Sequence, residues 1–77
     1  MEYYEWIDNN PIRRWRKANG VSVHQFAAEV GVSTTAVSSW ERGAFLPQTD
    51  SLIKIARLLG VSIENLIAKM ADWKSLL

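Results

Sequence analysis

Residues 22–43 read SVHQFAAEVGVSTTAVSSWERG. Gly31 divides this stretch into two short helical patterns, and glycine is the residue most often found just beyond a helix end, where φ is positive. Ser22 and Gln25 have the spacing of a capping box, which predicts that the first helix begins there. Only three residues, Gly31 to Ser33, separate the two patterns, so the chain must reverse sharply between two short helices.

The second helix, predicted over residues 33–41, has one narrow apolar face, formed by Val37 and Trp40. Serine and threonine are mediocre helix formers, so an exposed face made of them lowers helix stability without an evident structural return. Such a slim polar helix fits the DNA major groove, about 12 Å wide, where hydroxyls and threonine methyls contact base edges. The alternative is an ordinary exposed helix. The hydroxyl-bearing residues predicted to lie opposite the apolar face are Thr34, Thr35, Ser38 and Ser39.

Helical spacing and start signals extend over most of the chain, and no stretch alternates with the period of a strand. The predicted N-caps are Asn10, which precedes Pro11, and Ser22, Ser33, Thr49 and Ser62. The predicted helices span residues 11–18, 22–30, 33–41, 49–59 and 62 to the 70s. Short helices joined by short loops predict an all-α fold, a compact five-helix orthogonal bundle whose second and third helices form a helix-turn-helix.

The composition excludes several classes of site. The chain of 77 residues is the size of one domain and contains no cysteine, so disulfides and thiolate metal sites are excluded. One histidine, His24, cannot form a metal site alone, and we predict neither metal nor cofactor. No nucleophile–base pair, paired carboxylates or glycine-rich phosphate loop is present, so we predict that the chain is not an enzyme. No membrane helix or secretory signal is predicted, and a cysteine-free chain suits the cytoplasm.

Two longer runs resemble a known family: GVSVHQFAAEVGVSTTAVSSWERG at residues 20–43 and LPQTDSLIKIARLLGVSIENLI at residues 46–67. In order and spacing they are similar to the lambda-repressor-like, Cro/C1-type (XRE) helix-turn-helix family. The resemblance covers residues 11–68, with residues 1–10 and 69–77 as extensions of a single domain over residues 1–77. It implies five helices, no enzymatic activity and a homodimer on a partly symmetric DNA operator.

The resemblance also implies roles for individual residues. Glu41 of the WERG motif is expected to be structural, and Arg16 is its expected partner. A cluster of four cations at residues 13–17 surrounds Trp15, so only some of them are able to face DNA. The expected base contacts are Thr34, Thr35, Ser39 and Ser38, and the expected DNA backbone contacts are Ser22, Ser33, Arg42, Arg13 and Lys17.

Departures from the family pattern predict modest DNA affinity. Val23 stands where relatives often have a glutamine that contacts phosphate, and the loop AFLPQT at residues 44–49 lacks the usual lysine or arginine. Fewer phosphate contacts give a shallower dependence of affinity on salt. Because the hydroxyl side chains are short, we expect sequence preference to depend on DNA shape, water and dimer spacing.

The two ends of the chain lie outside the resemblance. The N-terminal YYEWI is aromatic and acidic; we expect a short packing helix with Trp6 and Ile7 buried, or a segment that shields or repels DNA. At the other end Met70, Trp73 and Leu77 continue an apolar stripe, which predicts a dimer interface. The alternative is that Trp73 folds back onto helix 11–18 or the N-terminal aromatics.

These observations favour a sequence-specific regulator that binds double-stranded DNA, of the small phage or prokaryotic repressor type. It would insert helix 33–41 into the major groove of its operator as a homodimer, with no membrane partner. The alternatives are an antitoxin with a protein partner, and a protein-interaction module that keeps the fold with little or no DNA binding.

Overall fold

The structure, a computed structural model, describes residues 1–76, which fold into six α-helices without strands. The all-α prediction is therefore confirmed, with one helix more than the five predicted. Nowhere in residues 1–76 does a helix have the length and apolarity that crossing a membrane requires. The helices are α1 (Tyr3–Asp8), α2 (Pro11–Ala18), α3 (Val23–Val30), α4 (Thr34–Glu41), α5 (Thr49–Leu59) and α6 (Ile63–Ser75).

The helix starts agree with the predicted caps at four of five positions. Asn10, Ser22, Ser33 and Ser62 each accept a backbone N–H from the first turn of the helix that follows. The prediction for Thr49 is wrong, because Gln48 occupies the N-cap position of α5 and makes no side-chain cap bond. The four glycines all have positive φ, between 65° and 80°, as their positions after helical stretches predicted.

The additional helix, α1, has only six residues and no side-chain cap bond. A helix this short is not stable alone in water, so its packing against the bundle must stabilise it. Trp6 supplies that packing because its side chain is buried, whereas Ile7 is half-buried. The expectation that the N-terminal segment is a packing element with Trp6 buried is confirmed.

The core lies between α2, α3, α4, α5 and α6, and each helix contributes apolar side chains at helical spacing. Burying one large aliphatic or aromatic side chain stabilises a fold by roughly 1.5–3 kcal/mol. The large apolar side chains fully withdrawn from solvent are those of Ile12, Phe26, Val30, Val37, Ile55 and Leu66.

The two ends of the chain meet in a pair of tryptophans, Trp6 of α1 and Trp73 of α6, which we call the tryptophan closure. Their rings stack with centroids 4.2 Å apart and planes 10° from parallel. Trp6 Nε1 donates to the Trp73 carbonyl oxygen at 2.7 Å, and Trp73 Nε1 donates to the Trp6 carbonyl oxygen. Both indole donors are therefore satisfied inside the protein.

The closure overturns the prediction that Met70 and Trp73 form a dimer interface. Each is 2% exposed in the single chain, so neither presents an apolar surface to a second copy. The N-terminal aromatics cover Trp73, which is the alternative that the sequence left open. The third residue of the predicted strip, Leu77, lies outside the described residues.

Gly43 connects the closure to the end of α4. Its φ is +73°, and a Cβ at this position would lie 2.9 Å from Trp6 Cη2 and 3.2 Å from Trp73 Cη2. Glycine is required here both by the backbone conformation and by the lack of space. The two tryptophans thus limit where the chain can run when it leaves α4.

Candidate nucleic-acid interface

Helix α4 is held by a narrow buried face. Val37 is 0% exposed and Trp40 6% exposed, and Glu41 is buried beside them at the C-terminal end of the helix. The predicted anchors Val37 and Trp40 are therefore confirmed. The rest of the helix circumference is left for contact with solvent or a ligand.

The turn between α3 and α4 has the geometry that the sequence predicted. The backbone N–H groups of Gly31 and Val32 both donate to the Ala27 carbonyl oxygen, at 2.8 and 3.0 Å. Gly31 adopts φ +80°, a left-handed conformation that glycine takes up without strain. Ser33 Oγ then accepts the Ala36 N–H at 3.1 Å and starts α4. These local hydrogen bonds set the sharp reversal of the chain between α3 and α4.

The outer flank of α4 consists of the four hydroxyl side chains that the sequence singled out. Thr35 and Ser38 are exposed, whereas Thr34 and Ser39 are half-buried at the two edges of the flank. Within residues 1–76, none of these four hydroxyls forms a hydrogen bond. The hydroxyls of the outer flank are therefore available to a ligand without any internal bond being broken.

Two further hydroxyls mark helix N-termini. Ser22 Oγ accepts the Gln25 N–H at 3.1 Å, and the Gln25 side chain accepts the Ser22 N–H at 2.8 Å, which confirms the predicted capping box. The caps of α3 and α4 use the hydroxyl oxygens of Ser22 and Ser33 as acceptors. Each O–H remains free to donate to an anion, next to a helix end whose dipole favours negative charge.

The three predicted backbone-contacting cations differ in their surroundings. Arg42 is exposed, and its Nε donates to the Ser38 carbonyl oxygen at 3.3 Å. Arg13 and Lys17 both lie against Asp8 of α1, at 3.0 and 3.8 Å. The hydrogen bond from Arg13 lowers the pKa of the Asp8 carboxyl below its usual 3.8. Of the three, only Arg42 makes no ion pair within residues 1–76.

A buried ion pair ties the end of α4 to α2, as the family resemblance implied. Arg16 donates to Glu41 through two parallel bonds, Nε to Oε2 at 2.6 Å and Nη2 to Oε1 at 2.8 Å. Its third nitrogen, Nη1, donates to the Val21 carbonyl oxygen at 3.0 Å. The hydrogen bonds to Glu41 raise the pKa of Arg16 above its usual value. The two parallel bonds make this a charge-assisted, bidentate contact, the strongest kind of side-chain hydrogen bonding.

Sequence reasoning missed a second tie, made by Asn10. Its Oδ1 caps α2 as predicted, but its Nδ2 also donates to the Trp40 carbonyl oxygen of α4 at 3.2 Å. The side chain is completely buried. An asparagine cap, unlike a serine cap, carries a second polar group that can bond outside its own helix. That chemical difference is the only signal of this contact that the sequence carries.

A family described as helix-turn-helix matches residues 12–66, which include all of α3 and α4. The chain belongs to the helix-turn-helix family. This match confirms the resemblance to Cro/C1-type proteins. The helix-turn-helix region excludes both residues of the tryptophan closure, Trp6 and Trp73.

Three similar proteins carry regulator names. The chain is 39% identical over 56 residues to the cryptic phage CTXphi transcriptional repressor RstR of Vibrio cholerae, covering 73% of this chain and 50% of RstR. It is 32% identical over 60 residues to the HTH-type transcriptional activator BcrR of Enterococcus faecalis, covering 78% of this chain and 29% of BcrR. It is 28% identical over 61 residues to the uncharacterized HTH-type transcriptional regulator YobD of Bacillus subtilis, covering 79% and 54%.

The helix-turn-helix chain thus spans about half the length of RstR and YobD and less of BcrR. No solved structure matches it significantly. The family and the names of these relatives support a DNA-binding transcriptional regulator, a class of protein that is typically non-enzymatic.

Proposed function

We propose that this chain is a sequence-specific regulator that binds double-stranded DNA by inserting α4 into the major groove. The observation that carries the proposal is the outer flank of α4, four hydroxyl side chains that form no hydrogen bond with residues 1–76 and lie opposite a buried valine–tryptophan face. Such a helix has the slimness and the donors and acceptors that base-edge contact requires. The repressor name of RstR and the family's usual symmetry favour a small phage or prokaryotic repressor that binds its operator as a homodimer.

Within this proposal the hydroxyl residues divide by position. Thr35 and Ser38, at the centre of the flank, contact bases most deeply, and Thr34 and Ser39 contact them at the groove edges. Their short side chains cannot make the bidentate contacts of arginine or glutamine, each of which discriminates between bases by ~1–3 kcal/mol. Each hydroxyl contact should therefore discriminate less.

The proposed DNA backbone contacts differ in whether a carboxylate of the same chain already pairs with them. Arg42 is the main phosphate-binding cation, since its guanidinium is exposed and no carboxylate within residues 1–76 of the same chain pairs with it. Ser22 and Ser33 donate their O–H groups to phosphates at the starts of α3 and α4. Arg13 and Lys17 are weaker contributors because Asp8 already holds them.

Selection of bound duplexes from a random pool tests sequence specificity directly. An enriched, partly symmetric motif is the expected result, and its half-site spacing reports the dimer geometry. Recovery of no motif, together with no salt-dependent binding of any duplex, would refute the proposal.

The roles of single residues are separable by anisotropy titration. Thr35→Ala is expected to change the preferred base at one position per half-site, whereas Thr49→Ala, a matched threonine on α5, is not. Arg42→Ala is expected to weaken all duplexes alike and to reduce the salt slope by about 1. Lys69→Ala on α6 removes the same charge outside the helix-turn-helix and serves as its control. If Thr35→Ala and Arg42→Ala both lowered the affinity for every duplex by the same factor, the division of roles would be contradicted.

A protein-interaction module is the second candidate, favoured by two adjacent exposed side chains beside α4, Phe45 and Leu46. This alternative predicts that no duplex binds in a salt-dependent manner, and the same titrations therefore distinguish it.

A further inference from the structure

The loop between α4 and α5 carries the apolar surface that the C-terminal strip does not provide. Phe45 is 70% exposed and Leu46 58% exposed, and they are consecutive. The next residue, Pro47, is buried and anchors the loop to the bundle. Two adjacent large apolar side chains on an anchored loop form a fixed patch rather than scattered exposed residues, and such patches mark interaction sites.

The surroundings of this patch are uncharged. Phe45 and Leu46 border a shallow cleft of about 360 Å³, which α4 and the turn before it complete. Every side chain that lines the cleft is apolar or a neutral polar group. Burying the patch therefore removes no charge from water, a step that costs several kcal/mol per ion. Besides Phe45 and Leu46, the cleft is lined by Val32, Ala36, Ser39, Trp40, Gln48 and Ser51.

Polyanionic DNA is a poor occupant, because no cation lies between Arg42 and the start of α5. A second copy of this chain, in contrast, brings an identical uncharged apolar surface. A two-fold interface requires such self-complementarity, since the same patch serves on both sides.

Charge at the borders of the patch favours the same occupant. Residues 42–50 read RGAFLPQTD, in which Arg42 and Asp50 are the only charged residues and lie four positions on either side of Leu46. Both side chains are exposed, and neither forms an ion pair within residues 1–76. Arg42 lies at the end of α4 and Asp50 in the first turn of α5, one on each side of the loop. A two-fold axis near Leu46 would therefore bring Arg42 of one copy towards Asp50 of the other. The segment is thus complementary to itself in charge as well as in apolarity.

We propose that a second copy of this chain covers Phe45 and Leu46 in a two-fold homodimer, in which Asp50 of one copy accepts from part of the Arg42 guanidinium of the other and leaves its remaining N–H donors to DNA phosphate. The inference names the dimer surface and rests on the proposed function for its expectation of a dimer. Because the loop begins just after α4, this interface fixes the separation of the two α4 helices. It therefore sets the half-site spacing that the dimer can read.

Sedimentation of the full chain without DNA tests the interface. The wild type is expected to dimerise, and Phe45→Glu to raise the dimer dissociation constant by about 30-fold, the effect of losing one central interface residue. Tyr4→Glu changes an equally exposed aromatic residue on α1 and is expected to leave the dimer unchanged. Because both residues are exposed, circular dichroism should show wild-type helicity in both variants. A wild type that stays monomeric, or a Phe45→Glu chain that dimerises like the wild type, overturns the proposal.

Charge exchange tests the pairing across the axis. Arg42→Asp and Asp50→Arg are each expected to weaken the dimer, because each places like charges opposite one another. The double variant R42D/D50R restores opposite charges and is expected to recover most of the wild-type affinity. A double variant no better than either single one contradicts the antiparallel arrangement.

Cross-linking extends the test to weak association, since the chain has no native cysteine. Leu46→Cys is expected to form a symmetric disulfide between copies under mild oxidation, while Ile67→Cys, an exposed position on α6, is not. Equal cross-linking at both positions would refute the location of the axis.

These outcomes are independent of DNA binding. If Phe45→Glu disrupts the dimer but the wild type binds no duplex, only the proposed function is refuted. A wild type that binds DNA, together with a Phe45→Glu chain that still dimerises, refutes only the interface.

Discussion

The helix-turn-helix of α3 and α4 and the tryptophan closure are stabilised in opposite ways. The turn and the helix starts of the first depend on bonds between near neighbours in sequence, such as Ser33 Oγ with the Ala36 N–H at 3.1 Å. The second joins residues 67 positions apart through stacked rings and two indole–carbonyl bonds. Local bonds reproduce a motif wherever its residues occur, whereas the closure exists only when the whole chain has folded.

The two regions also divide the control of α4. The helix-turn-helix fixes where α4 starts and which flank it presents to solvent. The closure, through Gly43, restricts the path of the chain after α4 ends. Since the family match spans residues 12–66, the closure is built by segments that lie outside the matched region. Substitutions in the two regions should therefore have different magnitudes, which the following predictions order from the largest to the smallest.

Removing one ring of the closure should have the largest effect. Trp73→Ala is expected to lower the free energy of unfolding by about 3–5 kcal/mol, because it leaves a cavity and removes the indole–carbonyl bond to Trp6. Urea denaturation followed by circular dichroism measures the loss. Ile67→Ala, at an exposed position on the same helix, is the control and should cost far less. Equal losses in the two variants would show that the closure contributes little to stability.

Adding a methyl group beneath the closure should have the next largest effect. Gly43→Ala places a side chain at φ +73° and 2.9 Å from Trp6 Cη2. We expect a loss of about 3 kcal/mol, from the left-handed backbone and the overlap together.

Gly20→Ala is the matched control for that substitution. Its φ is +65° and nothing lies within 4 Å of the added Cβ, so only the backbone cost of about 1–2 kcal/mol applies. The difference between the two losses of unfolding free energy measures the contact with the tryptophans. Identical losses of unfolding free energy would mean that the tryptophan rings move aside for the added methyl group without measurable cost.

A change within the helix-turn-helix should be smaller. Ser33→Ala removes the cap of α4 and is expected to cost about 1 kcal/mol. Thr49→Ala also removes a hydroxyl near a helix start, but Thr49 makes no cap bond, so its loss should be close to zero. Thermal melts of both variants check this order. A Thr49→Ala loss as large as that of Ser33→Ala would show that hydroxyls near helix starts act without capping.

The smallest effect concerns Asp8, the ion-pair link between α1 and α2. Its folded-state pKa is lowered, so its stabilising contribution is present above the unfolded pKa of 3.8 and is lost as pH falls through the lower folded value. Denaturation midpoints measured from about pH 5 to about pH 2 should fall more steeply for the wild type than for Asp8→Asn. Asp72→Asn, an exposed aspartate on α6, should retain the wild-type slope. Parallel profiles for all three chains would contradict a role for the Asp8 pair in stability.

The sequence by itself determined the elements whose signals are local. The positions of α2 to α6, the caps at Asn10, Ser22, Ser33 and Ser62, and the turn at Gly31 follow from spacing and backbone conformation. The buried face of α4 follows from the i, i+3 spacing of Val37 and Trp40. The Arg16–Glu41 pair was also predicted, but from the resemblance to a family rather than from spacing, because its partners are 25 residues apart.

Only the tertiary structure decided which apolar surface remains exposed. A helical stripe such as Met70 and Trp73 has the same pattern whether a second copy or the chain's own N-terminus covers it. Here Trp6 stacks on Trp73, and both stripe residues are buried within the single chain, which leaves Phe45 and Leu46 as the apolar surface beside α4. The spacing of apolar residues along a chain specifies which face of a helix is apolar. The element that packs on that face depends on distances between residues far apart in sequence, which exist only in the folded molecule.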